Sequence, residues 1–135
     1  MIVGAPYAVP VLLISDATYL VRDLDEAIAF FVDALGFEVR SDEQITPDWR
    51  RVVVAPDGGG TGLVLKLAPD SPHVGNQAGG VAFFLHTDDF EATYARLAAY
   101  GVTFLEEPRH EAYGIVVLFE DLYGQPWDLI QPPTR

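Results

Sequence analysis

The chain has 135 residues, of which 50% are hydrophobic, so it is long enough for one ordinary core and too short for two large domains. Its 20 acidic and 8 basic residues give a net charge of -12. This charge disfavours nucleic acid and anionic membrane surfaces, and we predict neither as a partner; a neutral or cationic small molecule suits it better.

The cysteine count and the first residues bear on location. The chain has no cysteine, which excludes disulfides, thiolate metal sites and cysteine nucleophiles and fits a reducing compartment. The opening "MIVGAPYAVPVLLISD" has no Lys or Arg, and its apolar run is far shorter than the roughly 18 residues needed to cross a bilayer. We expect a cytoplasmic protein.

The first half of the chain predicts a strand, a helix and three further strands. The strand "LLISDATYLV" leads to Asp23, which is typical of a helix N-cap, and Gly36 is typical of the turn that ends a helix. Apolar residues at helical spacing lie between them. Three β-rich segments follow: "FEVRSDEQ", "WRRVVVAP" and "GLVLKLAP".

The second half repeats this plan at an offset of about half the chain. "GGVAFFLHT" precedes a helix that Asp89 and Gly101 delimit, and "VTFLEEP", "GIVVLFED" and "PWDLIQP" follow it. We therefore predict one domain over 1–135, with one βαβββ module at about 11–68 and a second at about 80–132. The polar, Gly- and Pro-rich segment 68–80 is the predicted linker.

Two segments, "VRDLDEAIAFFVDALGF" and "FEDLYGQPWDLIQ", resemble the vicinal oxygen chelate superfamily, which includes glyoxalases, bleomycin-resistance proteins and extradiol dioxygenases. The resemblance covers roughly residues 11 to 132. It implies an α+β fold in which two βαβββ modules form a curved mixed sheet around a cavity. Members of the superfamily are often homodimers. We predict a homodimer here as well, because a partner can cover the sheet edges that so small a chain leaves open.

The resemblance also implies where a metal would lie. The family's metal positions fall on Asp16, Ala82 and Asp128, and the fourth lies on "GLVLKL", which has no carboxylate or imidazole. Zinc or iron needs about three or more N, O or S ligands, so we predict no metal and no other cofactor. A hard divalent ion held by Asp16, Asp128 and waters is the alternative.

Strand alternation supplies the remaining cavity candidates. Side chains two apart lie on the same face of a strand, so Thr18 and Leu20 should accompany Asp16, Phe84 and His86 should accompany Ala82, and Ile130 should accompany Asp128. We take Asp16, His86 and Asp128 as catalytic candidates. His86 has an equal alternative as a cap of the strand end, bonded to the "TDD" turn.

Two further segments contain ligand-binding candidates. Arg109 and Tyr113 lie in "EEPRHEAYG", which we predict to be a loop before a strand; the alternative is a solvated turn in which Arg109 pairs with Glu106 or Glu107. Trp49 is predicted to cover the pocket, and simple edge packing is its alternative. One of Arg50 and Arg51 could neutralise Asp16.

These candidates support two functions of different classes. One is a binding protein that holds a neutral or cationic compound in an acidic, aromatic-lined cavity. The other is a glyoxalase-like lyase, isomerase or dioxygenase, with proton transfer by the carboxylates and His86 or with a divalent metal at Asp16 and Asp128.

Overall fold

The computed structural model describes residues 9–134, which form two helices and nine strands. No helix among these residues has the length and apolar character needed to cross a membrane.

The first sheet contains the strands of the first module. Its strands are β1 (Asp16–Val21), β2 (Glu38–Thr46), β3 (Trp49–Ala55) and β4 (Gly62–Leu67), in the order β1-β4-β3-β2. Helix α1 (Leu24–Asp33) connects β1 to β2, and β1 is parallel to β4 while the other pairs are antiparallel.

The second sheet repeats this arrangement with one addition. Its strands are β5 (Phe83–His86), β6 (Thr103–Phe104), β7 (Arg109–Glu111), β8 (Gly114–Glu120) and β9 (Pro126–Gln131), and α2 (Phe90–Tyr100) follows β5. The order is β5-β9-β8-β6, and β7 also pairs with β8. The predicted α+β fold of two related modules is therefore confirmed.

The predicted loop at Arg109 is partly wrong. Arg109–Glu111 forms the short strand β7, antiparallel to β8 with Arg109 opposite Val116. Strand β6 ends at Phe104, so the remaining edge of β8 is free to pair with a second segment. The pairing of this segment with β8 could not be predicted from the sequence, because it depends on where β6 stops.

Both predicted helix N-caps are confirmed. The side chain of Asp23 accepts a hydrogen bond from the Glu26 backbone N–H at 2.9 Å, and Asp89 accepts from Ala92 at 3.0 Å. Gly101 ends α2 with φ of 97°, a left-handed conformation that only glycine adopts without strain. The caps fix where each helix starts relative to the strand before it.

One hydrophobic core contains residues from both sheets and both helices. Tyr19 of β1 lies against Phe31 of α1, with ring centroids 5.6 Å apart, and against Trp127 of β9 at 6.3 Å. Phe30 of α1 meets Tyr100 of α2 at 5.6 Å. Because the Tyr19–Trp127 and Phe30–Tyr100 pairs cross between the modules, neither module buries its apolar face alone.

A buried carboxylate, Asp121, joins the two modules at this core. It accepts hydrogen bonds from the Tyr19 hydroxyl and from the Trp127 indole, the latter at 3.1 Å. It also accepts from the backbone N–H groups of Tyr123 and Gln125 at 2.9 and 3.1 Å. Burial raises the pKa of Asp121, while these four donors favour its charged form and oppose the rise.

Two glutamines attach the linker to both modules. The Gln77 side chain accepts from the Leu20 N–H at 3.0 Å and donates to the Leu20 carbonyl at 2.9 Å, as a neighbouring strand would. The buried Gln125 accepts from the Gln77 N–H at 2.8 Å and donates to the Gly80 carbonyl at 2.9 Å. The linker is thus fixed by partly buried hydrogen bonds.

We expect Tyr19→Phe to lower the free energy of unfolding. The change removes one of the donors to Asp121 and leaves the carboxylate buried with its bonds incomplete, which costs about 1–3 kcal/mol. Urea unfolding followed by circular dichroism measures the difference.

Tyr123→Phe is the matched control for this prediction. The Tyr123 hydroxyl bonds the backbone of Asp23 at 3.3 Å, near the surface, so its loss should cost about 1 kcal/mol or less. Equal losses in the two variants would show that Asp121 is not a special link between the modules.

Candidate functional site

Strand β9 presents different chemistry on its two faces. Trp127 and Leu129 are buried in the common core, and Asp128 therefore lies on the opposite face. In the sheet, Asp128 is in register with Phe84 of β5 on one side and Leu118 of β8 on the other. We call this face, which carries Phe84, Leu118 and Asp128, the outer face of the second sheet.

Asp128 carries a polar atom that lacks a partner. Its Oδ1 atom is buried and accepts no hydrogen bond. Partial burial raises the pKa of Asp128; the positive charge of Arg109 opposes this rise and the negative charge of Glu106 adds to it. The carboxylate is therefore placed where a donor from a bound molecule would relieve an existing cost.

The charges beside Asp128 form a small network. The Arg109 guanidinium donates to Glu106 at 2.9 Å and to Glu111 at 2.7 Å, and Glu106 also accepts from the Leu118 N–H at 3.0 Å. The Tyr113 hydroxyl and these carboxylates raise the pKa of Arg109. The predicted pairing of Arg109 with Glu106 is confirmed, although Arg109 lies in strand β7 and not in a turn. The face keeps an excess of negative charge.

Asp16 lies on the equivalent face of the first sheet, in register with Gly62. Its Oδ1 is also buried without a hydrogen bond, and a Cβ atom at Gly62 would lie 2.5 Å from it. The cation beside it is Arg40, whose Nη1 is 3.9 Å from Oδ1 and whose Nη2 donates to the Gly60 carbonyl. Glycine at position 62 leaves the space that the carboxylate occupies.

The prediction that one of Arg50 and Arg51 neutralises Asp16 is wrong, because the cation that pairs with Asp16 is Arg40. Arg50 donates instead to Asp42 at 2.8 and 2.9 Å and to Asp25 at 2.9 Å. Sequence reasoning missed Arg40, because its approach to Asp16 depends on how β2 and the Gly58–Gly60 turn lie across the sheet.

Phe84 and His86 line a cavity of about 410 Å³ between the modules. The first module contributes Ala17 and Leu63, and the second also contributes Trp127. A second cavity of about 440 Å³ shares His86 with the first. His86 is exposed and in register with Ile130, which is 8% exposed and so offers little surface to a ligand.

Thr18 and Trp49 line a different cavity, of about 560 Å³, at the end of the first sheet. It shares no lining residue with the cavity at Phe84 and His86. Leu20 is half-buried, and its backbone is bonded to Gln77. Thr18 and Trp49 of the first sheet and Phe84 and His86 of the second therefore line separate cavities within one chain. Asp16 and Asp128 line neither of these two cavities.

The donor set does not fit a transition metal. Within residues 9–134, no group of three or more His, Cys, Asp and Glu side chains is arranged to hold a metal ion. The side chain of Ala82 has no atom that could bind a metal, and Val64 of β4 stands where Asp128 stands in β9. The buried oxygens of Asp16 and Asp128 belong to different sheets. Zinc and iron sites need more ligands than this.

Comparison with known proteins identifies the family. A sequence model described as the glyoxalase/bleomycin resistance protein/dioxygenase superfamily matches residues 13–129. The chain belongs to this superfamily. The resemblance found in the sequence is therefore confirmed, and the match spans both modules.

Relatives of this superfamily member are similar over most of its length. An uncharacterized protein of Shewanella frigidimarina (strain NCIMB 400) is 46% identical over 118 residues, which cover 83% of this chain and 87% of that protein. Among solved structures, TnmS3, an antibiotic binding protein from Streptomyces sp. CB03234, has a TM-score of 0.78 and 30% identity, with 93% and 100% of the chains covered. A superfamily member from Sphaerobacter thermophilus DSM 20745 has a TM-score of 0.74 and 30% identity, covering 90% and 98%.

Asp128→Asn should change the stability in a pH-dependent way. Because the pKa of Asp128 is raised above its ordinary value of 3.8, the folded protein holds this proton more tightly than the unfolded chain. The stabilisation that this proton provides is full below the pKa that Asp128 has in the unfolded chain, and it is lost as the pH rises through the pKa that Asp128 has in the folded protein. The Asn variant should therefore be more stable at about pH 7, by roughly 1 kcal/mol or less, and not at about pH 3.

Urea unfolding at the two pH values measures this difference. Asp70→Asn, in the exposed linker, is the control and should give the same small effect at both. A gain for Asp128→Asn that is equally large at both pH values would contradict an origin in the buried carboxylate.

Proposed function

We propose that this protein binds a small aromatic molecule that carries a positive charge or a hydrogen-bond donor, and that the donor reaches Asp128. The observation that carries the proposal is the buried Oδ1 of Asp128, which has no partner on the face of the sheet that looks away from the core. A ligand donor would complete a charge-assisted hydrogen bond there.

The surroundings of Asp128 suit such a ligand. Phe84, its neighbour in register, is 64% exposed and offers an aromatic surface, and Tyr113 is 54% exposed. Glu106 and Glu111 outnumber the single Arg109, and the whole chain has a net charge of -12. Aromatic surface next to negative charge favours aromatic cations over anions.

The similarity to TnmS3 supports reversible binding. TnmS3 is an antibiotic binding protein, and it matches this chain at 30% identity over 93% of its length. On that basis we place binding before catalysis, with no cofactor, and expect the protein to act in the cytoplasm by holding its ligand.

Proton transfer is the second candidate function, and the raised pKa of Asp128 favours it. A carboxyl group with a raised pKa can donate or accept a proton nearer to neutral pH than an ordinary one. Asp16 and His86 stay predicted catalytic partners in this case. Asp16 and Asp128 would offer a hard divalent ion too few protein ligands for tight binding without several waters.

Replacing Asp128 by Asn should weaken an aromatic cation selectively. Naphthylmethylammonium should lose about tenfold to a hundredfold in affinity, since a hydrogen bond to a charged group is worth about 1.5–3 kcal/mol. Naphthylmethanol, the neutral counterpart, should change much less. Isothermal titration calorimetry measures both compounds on both proteins.

Glu107→Gln provides the matched control, because Glu107 is exposed and the same charge is removed nearby. Equal losses in the two variants would mean that only the general field matters, which would overturn the role of Asp128. So would about one equivalent of zinc, iron or nickel that is present in the wild type and absent from the Asn variant.

We also propose that the protein is a homodimer. Five apolar side chains of residues 9–14 are between 72% and 92% exposed: Val9, Val11, Leu12, Leu13 and Ile14. A contiguous apolar segment of this kind is typical of an interface. A second copy would bury it and cover the open sheet edges.

Light scattering should give twice the chain mass for the wild type. Replacing Leu12 and Leu13 together by Ser should shift the protein toward the monomer at micromolar concentration, because it removes apolar area from the interface. Leu105→Ser, at another exposed leucine, should leave the mass unchanged. A monomeric wild type would contradict the proposal.

A further inference from the structure

We propose that the chain has a second binding site, selective for small aromatic anions, at the end of the first sheet. The site is the cavity of about 560 Å³ that Thr18, Trp49 and Lys66 line. Its preferred charge is opposite to that of the Asp128 site, so the inference stands independently of the proposed function.

Lys66 supplies the positive charge of this cavity. It is the one lysine of the chain, it is exposed, and within residues 9–134 it forms no ion pair. It lies in register with Leu20, and Arg51 is on the same face of the sheet by alternation from Val53, which pairs with Val64. Arg51 stands opposite Glu43 and does not line the cavity, so Lys66 itself is the cation that favours an anionic group there.

The other basic lining residue, Arg50, is already engaged. Its Nε and Nη2 atoms donate to Asp42 and its Nη1 atom donates to Asp25, at 2.8 to 2.9 Å. This ion-paired guanidinium serves to hold β2, β3 and α1 together. Lys66 is therefore the lining cation that is free to meet a ligand.

Trp49 and the strand residues supply the aromatic and apolar surface. Trp49 is 51% exposed, and Leu67 at the end of β4 is 54% exposed. Val64 and Thr18, in register with each other, form part of the same lining. A planar ring can stack on the indole, and its acidic substituent can then reach the Lys66 ammonium.

Asp48 is the lining residue whose charge opposes an anion. It lies in the turn between β2 and β3, next to Trp49, whereas Lys66 is on β4. An aromatic carboxylate should therefore orient with its acid group toward β4. Removal of the Lys66 charge should therefore weaken the binding of an anion, whereas removal of the Asp48 charge should not weaken it.

The test uses the full-length chain with para-nitrobenzoate as the anion and para-nitrobenzamide as its neutral counterpart. Calorimetry should show saturable binding of para-nitrobenzoate, and Lys66→Gln should weaken it about tenfold or more. The amide should bind equally to both proteins. Asp48→Asn should keep or improve para-nitrobenzoate binding, and Asp128→Asn should leave it unchanged.

Tryptophan fluorescence locates the bound molecule. The nitro group should quench the exposed Trp49, and this quenching should disappear in Trp49→Phe while the buried Trp127 still emits. The inference is overturned if para-nitrobenzoate shows no saturable binding, if Lys66→Gln binds it as the wild type does, or if the quenching persists in Trp49→Phe. Failure of the cation to bind at Asp128 would leave these results untouched.

Discussion

The carboxylate of Asp121 is the constraint on which both the fold and the candidate site depend. It accepts hydrogen bonds from Tyr19 of the first module and from Trp127 of the second, and it also bonds the backbone of the turn before β9. A buried carboxylate is tolerated only when it is fully bonded, so these donors must stay together. The relation between the two sheets and the start of β9 therefore have a common origin.

The two sheets share a topology but differ in what their outer faces carry. In β9 an acid, Asp128, lies beside Phe84, whereas the corresponding position in β4 is Val64, two residues before Lys66. The core faces of both strands remain apolar because they meet in one core. Outer positions are free of this requirement, so the two modules can carry different charges on their outer faces without disturbing the shared core.

The sequence predicts the parts of this structure that depend on local rules. The caps at Asp23 and Asp89, the repeated order of elements and the location of Asp128 on the face opposite Trp127 all follow from spacing and alternation. The pairing of Asp16 with Arg40 and the separation of the cavities could not be predicted, since alternation assigns a face within a strand and says nothing about distances across sheets. Likewise, nothing local in "EDLYGQPW" indicates that Asp121 and Gln125 are buried.

The turn between β8 and β9 also limits how the chain can vary in length. Residues 121–125 close on themselves through the Asp121 and Gln125 backbone bond of 3.0 Å, and Trp127 begins the alternation of β9. An insertion or deletion of one residue here would exchange the faces of the strand, directing Asp128 into the core and Trp127 into water. Homologous or engineered chains that keep this fold should therefore conserve the length of this turn more strictly than its composition.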